Sequence, residues 1–285
     1  MTTPATSARQ RLVGSCLREY RESAGYDLGD AARILDCHRS KVSRIETGQR
    51  SIRAKELREL LAEYGADAAA EEALVALARP RRDGTGWWTE YASVLRDPFL
   101  EFAAAENVAS AVIVYASVQV PELLQVPAYA RAAAAADASV PQEWEAAAVA
   151  AVLARQRVIL HERATRLDVV IGEGALRQQP GDATVMQAQV THLAELAGRC
   201  RHVTIRLLPF DVGLPSAGGA GGFSVLRFGP VPTLGLVHVA GPDGGLCPDT
   251  PHAAIGYLRA FNHLQAFALS PEYTTHRLLR LASRR

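Results

Sequence analysis

The chain has 285 residues, 48% of them hydrophobic and 21% charged, with Gly 22 and Pro 15. That composition supports a buried core, excludes a disordered tail protein, and at this length favours two domains. The formal net charge of +1 is unevenly spread, because residues 1–58 hold 12 Lys/Arg against 7 Asp/Glu, net +5, and the remainder is net −4.

A basic head on a mildly acidic body is the polarity of a nucleic-acid-binding module joined to something else. The opening MTTPATSARQ has no apolar run behind a basic start, and no uncharged apolar stretch of roughly 18 residues occurs anywhere, so no signal peptide and no membrane partner are expected. The expected location is the cytoplasm. Cys16, Cys37, Cys200 and Cys247 lie far apart without C-x-x-C spacing, which predicts reduced, unligated thiols.

From the N-terminus, Leu12, Val13, Cys16, Leu17 and Tyr20 recur at helical spacing after Ser7, a candidate N-cap, and Gly25 closes this first helix. Asp27 with Asp30 forms a capping-box pattern for a short second helix whose inward positions are Ala31, Ala32, Ile34 and Leu35. A turn over residues 36–38 leads into a third helix, 39–47, with Val42 and Ile45 inward and Gly48 ending it. Its outward face carries Arg39, Ser40, Lys41, Ser43 and Arg44, and no acid precedes Glu46. Arg pairs with guanine O6 and N7, and Lys and Ser suit phosphate oxygens. A short helix, a tight turn and a donor-faced helix predict a helix-turn-helix whose second helix enters the major groove of double-stranded DNA. The competing reading of the basic residues between Arg39 and Arg58 is a solvated helix face. A fourth helix carries Leu57, Leu60, Leu61 and Tyr64 on one face, and a fifth spans 67–78.

Gly14, Leu17-Arg18, Arg21, Ala24-Gly25, Ala32 and the run Ser40-Lys-Val-Ser-Arg-Ile-Glu-Thr-Gly48 resemble the Xre/Cro/cI family of bacterial DNA-binding heads. The resemblance implies that Arg39, Ser40 and Arg44 face bases and that Lys41, Ser43 and Arg50 contact phosphates. It also implies that His38 caps the recognition helix and that Arg21 and Glu46 form a partly buried ion pair. Leu28 stands where many relatives carry Gln, which removes a polar contact at the start of the second helix.

Residues 79–86 read RPRRDGTG, a cluster that fits a domain boundary. Trp87 and Trp88 follow, either as a stacking platform for single-stranded nucleic acid or as aromatics sealing a seam. Phe99, Phe102, Ala103, Glu106 and residues 108–114 read as a helical apolar stripe. Residues 128–154 contain 14 alanines, yet the regular continuation through Val149, Val152, Leu153 and Ile159 predicts packed helices. Beyond Arg166, the short β-branched runs 167–171, 203–208, 223–228 and 234–239 predict strands, with a helix through Val190, Leu193 and Leu196 between the first two and a final helix over 253–268. The expected fold is α+β overall: an all-α helix-turn-helix head of four to five helices over 1–80, a linker at 81–86, and a larger helical plus α/β body over 87–285.

The body also carries a resemblance. Pro121-Glu-Leu-Leu-Gln125, Tyr129-Ala-Arg131, Arg155-Gln156, Glu173-Gly-Ala-Leu-Arg177, Met186 with Gln189, Leu208-Pro-Phe210 and Gly222-Phe223 resemble the domain that follows Xre-type heads in actinobacterial WhiJ-like regulators. That domain has no assigned enzymatic activity, and the resemblance implies a small BldB-like partner protein in an antitoxin-like arrangement. Glu122 departs from the pattern at a position usually Gly, and Val237-His-Val239 lacks an acid often found after that strand.

Three constellations invite chemistry and have plainer readings. Asp168 and Glu173 are either a working carboxylate pair or two acids held by arginines. Cys200, His202 and His192 lack the spacing of a four-ligand zinc site, so no metal is expected. The glycine-rich 213–222 segment lacks G-K-[ST] and opens into a strand, which favours a β connection or a lid over a phosphate cradle. No cofactor is expected. The whole chain therefore reads as a sequence-specific transcription regulator, not an enzyme, whose body forms a homodimer through long apolar helices and exposed strand edges and binds a small-molecule effector or partner protein. The alternative is an enzyme or metabolite-processing domain fused to a DNA-binding head.

Overall fold

The structure is a computed structural model that describes residues 7–79, 86–212, 221–229, 234–241, 245 and 253–283. Most of the expected linker, Cys247 and nearly all of the glycine-rich segment lie outside the described residues.

Five helices open the chain: α1 (Ala8–Ser23), α2 (Leu28–Ile34), α3 (Arg39–Glu46), α4 (Ala54–Glu63) and α5 (Ala68–Ala78). Their ends are set by local chemistry. The Asp27 and Asp30 side chains each accept the other's backbone N–H at 2.8 Å, closing the N-terminus of α2. Asp67 caps α5 by accepting the Ala70 N–H at 2.7 Å. Gly48 takes φ +73° to turn the chain after α3. Gly14 lets α1 cross α3 in backbone contact, since a Cβ there would overlap the carbonyl oxygens of Ile45 and Glu46. Leu17, Val42, Ile45, Leu57, Leu60 and Leu61 fill the space between these helices and are fully buried.

The body begins with α6 (Trp87–Glu90), α7 (Asp97–Glu106) and β1 (Ala111–Ala116). It continues through α8 (Pro127–Ala136), α9 (Glu145–Gln156), β2 (Arg166–Gly172), α10 (Glu173–Arg177), α11 (Ala183–Arg199) and β3 (Val203–Leu208). It ends with β4 (Gly222–Arg227), β5 (Gly235–His238), α12 (Ala253–Phe267) and α13 (Pro271–Ala282). The strands form one mixed sheet in the order β3-β2-β1-β4-β5, parallel across β1–β2 and β2–β3 and antiparallel across β1–β4 and β4–β5. The parallel pairs require crossovers, which α8 with α9 and α10 with α11 supply. The fold is α+β, a helical head followed by a body built on a five-stranded mixed sheet.

Three expectations are corrected. Residues 108–114 do not extend a helix: α7 stops at Glu106 and Ala111–Ala116 is the central strand. A run of β-branched residues buried on both faces carries no alternation to distinguish it from a buried helix, and here the sheet takes it. The C-terminus holds two helices, because Ser270 caps and Pro271 starts a second one, α13. The β3 edge is not open. The Leu207 N–H donates to Thr274 Oγ1 at 3.0 Å, and its carbonyl accepts the Leu269 N–H at 2.8 Å, so strand addition at that point is blocked.

Head and body share one contiguous apolar cluster, running from Leu12 and Leu17 through Leu74 and Leu77 to Phe102, Phe228 and Leu236. The Ala8 N–H donates across the seam to Glu101 Oε2 at 2.9 Å. Trp88 is buried against Leu100, Ala103 and Ala104, with Trp87 edge-on at 6.2 Å. The buried Trp88 ring offers no face to a base, and half-buried Trp87 packs against the same cluster at the start of the body.

Candidate nucleic-acid interface

The third helix is positioned from both ends and from below. His38 stands at its N-cap, where Nδ1 accepts the Ser40 N–H at 3.3 Å and lies 2.9 Å from Ser40 Oγ. At the other end, Thr47 Oγ1 donates to the Ser43 carbonyl at 2.9 Å. Val42 and Ile45 pin its inner face, which leaves Arg39, Ser40 and Arg44 together on the exposed face. Arg39 makes no ion pair among the described residues, while Arg44 Nε bends back to the Ser40 carbonyl at 3.3 Å. Arg50 is exposed in the turn after α3, and its N–H is fixed to the Arg44 carbonyl at 3.0 Å. Ser43 is half-buried beside them.

Lys41 differs from the outward-facing reading. Its Nζ meets Glu56 Oε1 at 2.6 Å, with both side chains only 21% exposed, so its charge ties α3 to α4. Burial works against the charge of Glu56, yet the Lys41 ammonium and the Arg53 N–H hold its carboxyl below the usual carboxylate range. The resemblance to the Xre/Cro/cI heads implies a phosphate contact for Lys41. The acid that captures the lysine lies fifteen residues away in sequence, beyond the reach of helical periodicity.

Glu46, the one acid of α3, faces inward. Arg21 Nε and Nη2 donate to its two oxygens at 2.7 and 2.9 Å, and Arg21 Nη1 donates to the Tyr26 carbonyl at 2.8 Å. Both side chains are buried, at 8% and 5% exposure. This hydrogen bonding to Glu46 raises the Arg21 pKa despite burial. The fork locks α1 against α3 and leaves the exposed side of α3 without a negative charge. Arg53, beside Arg50 at the start of α4, is also exposed and without an ion pair among the described residues. In sequence, Arg53 belongs to the basic run between Arg39 and Arg58.

The body presents the opposite pattern. Arg155 donates to both oxygens of fully buried Glu106, at 2.8 and 2.7 Å, and to Glu122 at 2.7 Å, with its guanidinium carbon 5.2 Å from the Phe99 ring centroid. Burial opposes that charge, but the two acids raise the Arg155 pKa above its usual value. Gln125 donates to the Val120 carbonyl at 2.8 Å, and Tyr129 Oη accepts the Val120 N–H at 3.1 Å. Gln189 accepts the Val126 N–H at 2.8 Å and donates to the Leu124 carbonyl at 2.7 Å. Gln156 donates to the carbonyls of Glu122 and Gln125 at 2.6 and 2.8 Å. These side chains satisfy the backbone of the buried connection between β1 and α8. Glu122, the departure noted above, supplies Arg155 with a second acid.

The other constellations resolve into pairs. Asp168 accepts from Arg166 Nε at 2.9 Å, and Glu173 is held by Arg177 at 2.6 Å and by the Phe210 N–H at 3.2 Å. Among the described residues, no three His, Cys, Asp or Glu side chains gather as a metal site.

A DNA-binding helix-turn-helix protein is the class that this head defines. Residues 12–74 match the helix-turn-helix domain family. Residues 99–280 match the family described as a domain of unknown function (DUF5753), and the chain belongs to that family. No curated protein and no solved structure matches the chain. No helix among the described residues is long and apolar enough to cross a membrane.

Proposed function

We propose that the protein is a sequence-specific transcription regulator of the Xre/Cro/cI type acting in the cytoplasm. Arg39, Ser40 and Arg44 read base edges in the major groove, and Ser43 and Arg50 hold phosphates. The observation that carries this reading is the donor face of α3, which is exposed and free of acids, the helix's single carboxylate, Glu46, being turned inward onto Arg21. One such head covers few base pairs, and its surplus of +5 gives weak binding alone, since affinity follows the number of phosphates neutralised. The body therefore joins two copies on half-sites about 34–36 Å apart. It works without catalysis, its singled-out acids being engaged by arginines, and it receives a small-molecule effector or a small BldB-like partner, as the resemblance to WhiJ-like regulators suggests.

Selection from a pool of random duplexes by the full-length protein tests this reading, with sedimentation of the selected complex. The expected result is an enriched inverted repeat bound by two chains. Recovery of unenriched sequences would overturn the reading.

A further inference from the structure

Between head and body lies a cavity of about 510 Å³, bounded by the start of α1, the turn after α3, the end of α5 and α7. That volume lies within the roughly 300–1,000 Å³ of small-molecule sites. Its floor is apolar, formed by Val13, Ile45, Ile52 and Leu77, and its rim carries Arg50, Arg53 and Arg79. These three arginines are exposed, and their side chains make no hydrogen bond or ion pair among the described residues. The remaining charged lining groups have protein partners. Arg9 donates to the Leu77 and Arg79 carbonyls at 2.7 and 2.6 Å, and Glu101 accepts the Ala8 N–H at 2.9 Å. The cleft thus combines an apolar floor with three exposed cations, of which Arg53 lies in the field of Glu56.

We propose that this head–body cleft binds a small organic anion, an apolar body bearing a carboxylate, sulfonate or phosphate, and that its occupation opposes DNA binding. The apolar body replaces water on the floor, and the anionic group takes the guanidinium fork of one or two rim arginines. Arg50 belongs to both sites, as a rim residue here and as a phosphate contact in the proposed regulator. An anion held at Arg50 and Arg53 removes positive charge that the DNA backbone would use, and linkage requires DNA to weaken the anion by the same factor. This coupling rests on the regulator reading above, whereas the site itself rests on the cavity alone.

The test uses full-length protein and two fluorescent probes of one shape, 8-anilinonaphthalene-1-sulfonate and its uncharged relative N-phenyl-1-naphthylamine. Saturable binding of the sulfonate at least about tenfold tighter than the amine is expected, matching one charge-assisted contact. Arg79→Ala and Arg53→Ala each weaken the sulfonate but not the amine. Ala54→Trp, which fills the cleft from the first turn of α4, removes both signals while the melting midpoint holds. A saturating selected duplex lowers sulfonate affinity about 5- to 150-fold, the range of ordinary couplings. Equal binding of the two probes, or sulfonate binding that survives both Arg79→Ala and Ala54→Trp, overturns the site. An unaltered sulfonate affinity in the presence of bound duplex overturns the coupling. A protein that passes the probe tests yet enriches no DNA sequence keeps the site and loses the regulator reading, and the reverse outcome loses the site alone.

Discussion

Head and body use polar side chains in opposite ways. In the head, Arg39, Ser40, Arg44 and Arg50 stand exposed over an apolar core, with one buried ion pair to set the angle between α1 and α3. In the body, Arg155, Gln125, Gln156 and Gln189 face inward and are engaged by carboxylates and backbone around residues 120–126. The motif residues of the head include groups left free for a partner, while many of those in the body hold their own chain. A sequence motif therefore marks an exposed donor surface in one half and an internal scaffold in the other.

The sharpest way to break this contrast is Arg155→Met. It leaves Glu106 fully buried without its partner, and breaking such a pair costs about 3–5 kcal/mol. Because head and body share one apolar cluster, urea denaturation followed by fluorescence and by circular dichroism should show a single transition at a much lower midpoint. Two separated transitions would show that the halves unfold independently. Glu46→Ala comes next and should fall near the lower end, about 3 kcal/mol, because Arg21 keeps the Tyr26 carbonyl and Glu22. An unchanged melting midpoint would make Glu46 dispensable to the fold.

The exposed residues should leave stability alone. Arg50→Ala is expected to lower the slope of log affinity against log salt by about one, uniformly across sequences. Lys41→Ala should change that slope much less, since Glu56 already holds its charge, and should cost up to about 1 kcal/mol of stability instead. Equal slopes for the two variants would show that Lys41 leaves Glu56 for a phosphate. The smallest effect concerns pH. Against the cost of burial, the Lys41 ammonium and the Arg53 N–H hold the Glu56 carboxyl below the usual carboxylate range, so its tie to Lys41 is complete above that range and is lost as pH falls through the folded pKa. Thermal melts of wild type and Glu56→Gln should differ while Glu56 is ionised and converge once pH has fallen below its folded pKa. A constant difference across that window would remove the pair from the acid response.

The head was largely legible because its helices announce themselves locally. The Asp27–Asp30 box, Gly48 and the Val42/Ile45 spacing are signals within a few residues of the structure they produce. The Lys41–Glu56 pair joins different helices, and nothing at Lys41 indicates it. In the body, the strands beyond Arg166 were readable from β-branched runs bounded by Gly and Pro. β1 was not, since Ala111–Ala116 is buried on nearly every residue and follows a helix with the same apolar character. The polar network around Gln125 and Gln189 left only glutamines beside apolar residues as its signal, and its partners are brought together by the crossover between parallel strands. Ser270 followed by Pro271 is a local start signal for α13.

The central claim is that the exposed face of α3 reads DNA bases. It is tested most directly by titrating a duplex selected by the wild-type protein, and a scrambled duplex, with wild type, Arg39→Ala and Arg44→Ala at one salt concentration. Each substitution should cut the ratio of specific to non-specific affinity by about 1–3 kcal/mol, with the scrambled duplex little affected. Ratios that stay at the wild-type value in both variants would contradict the claim.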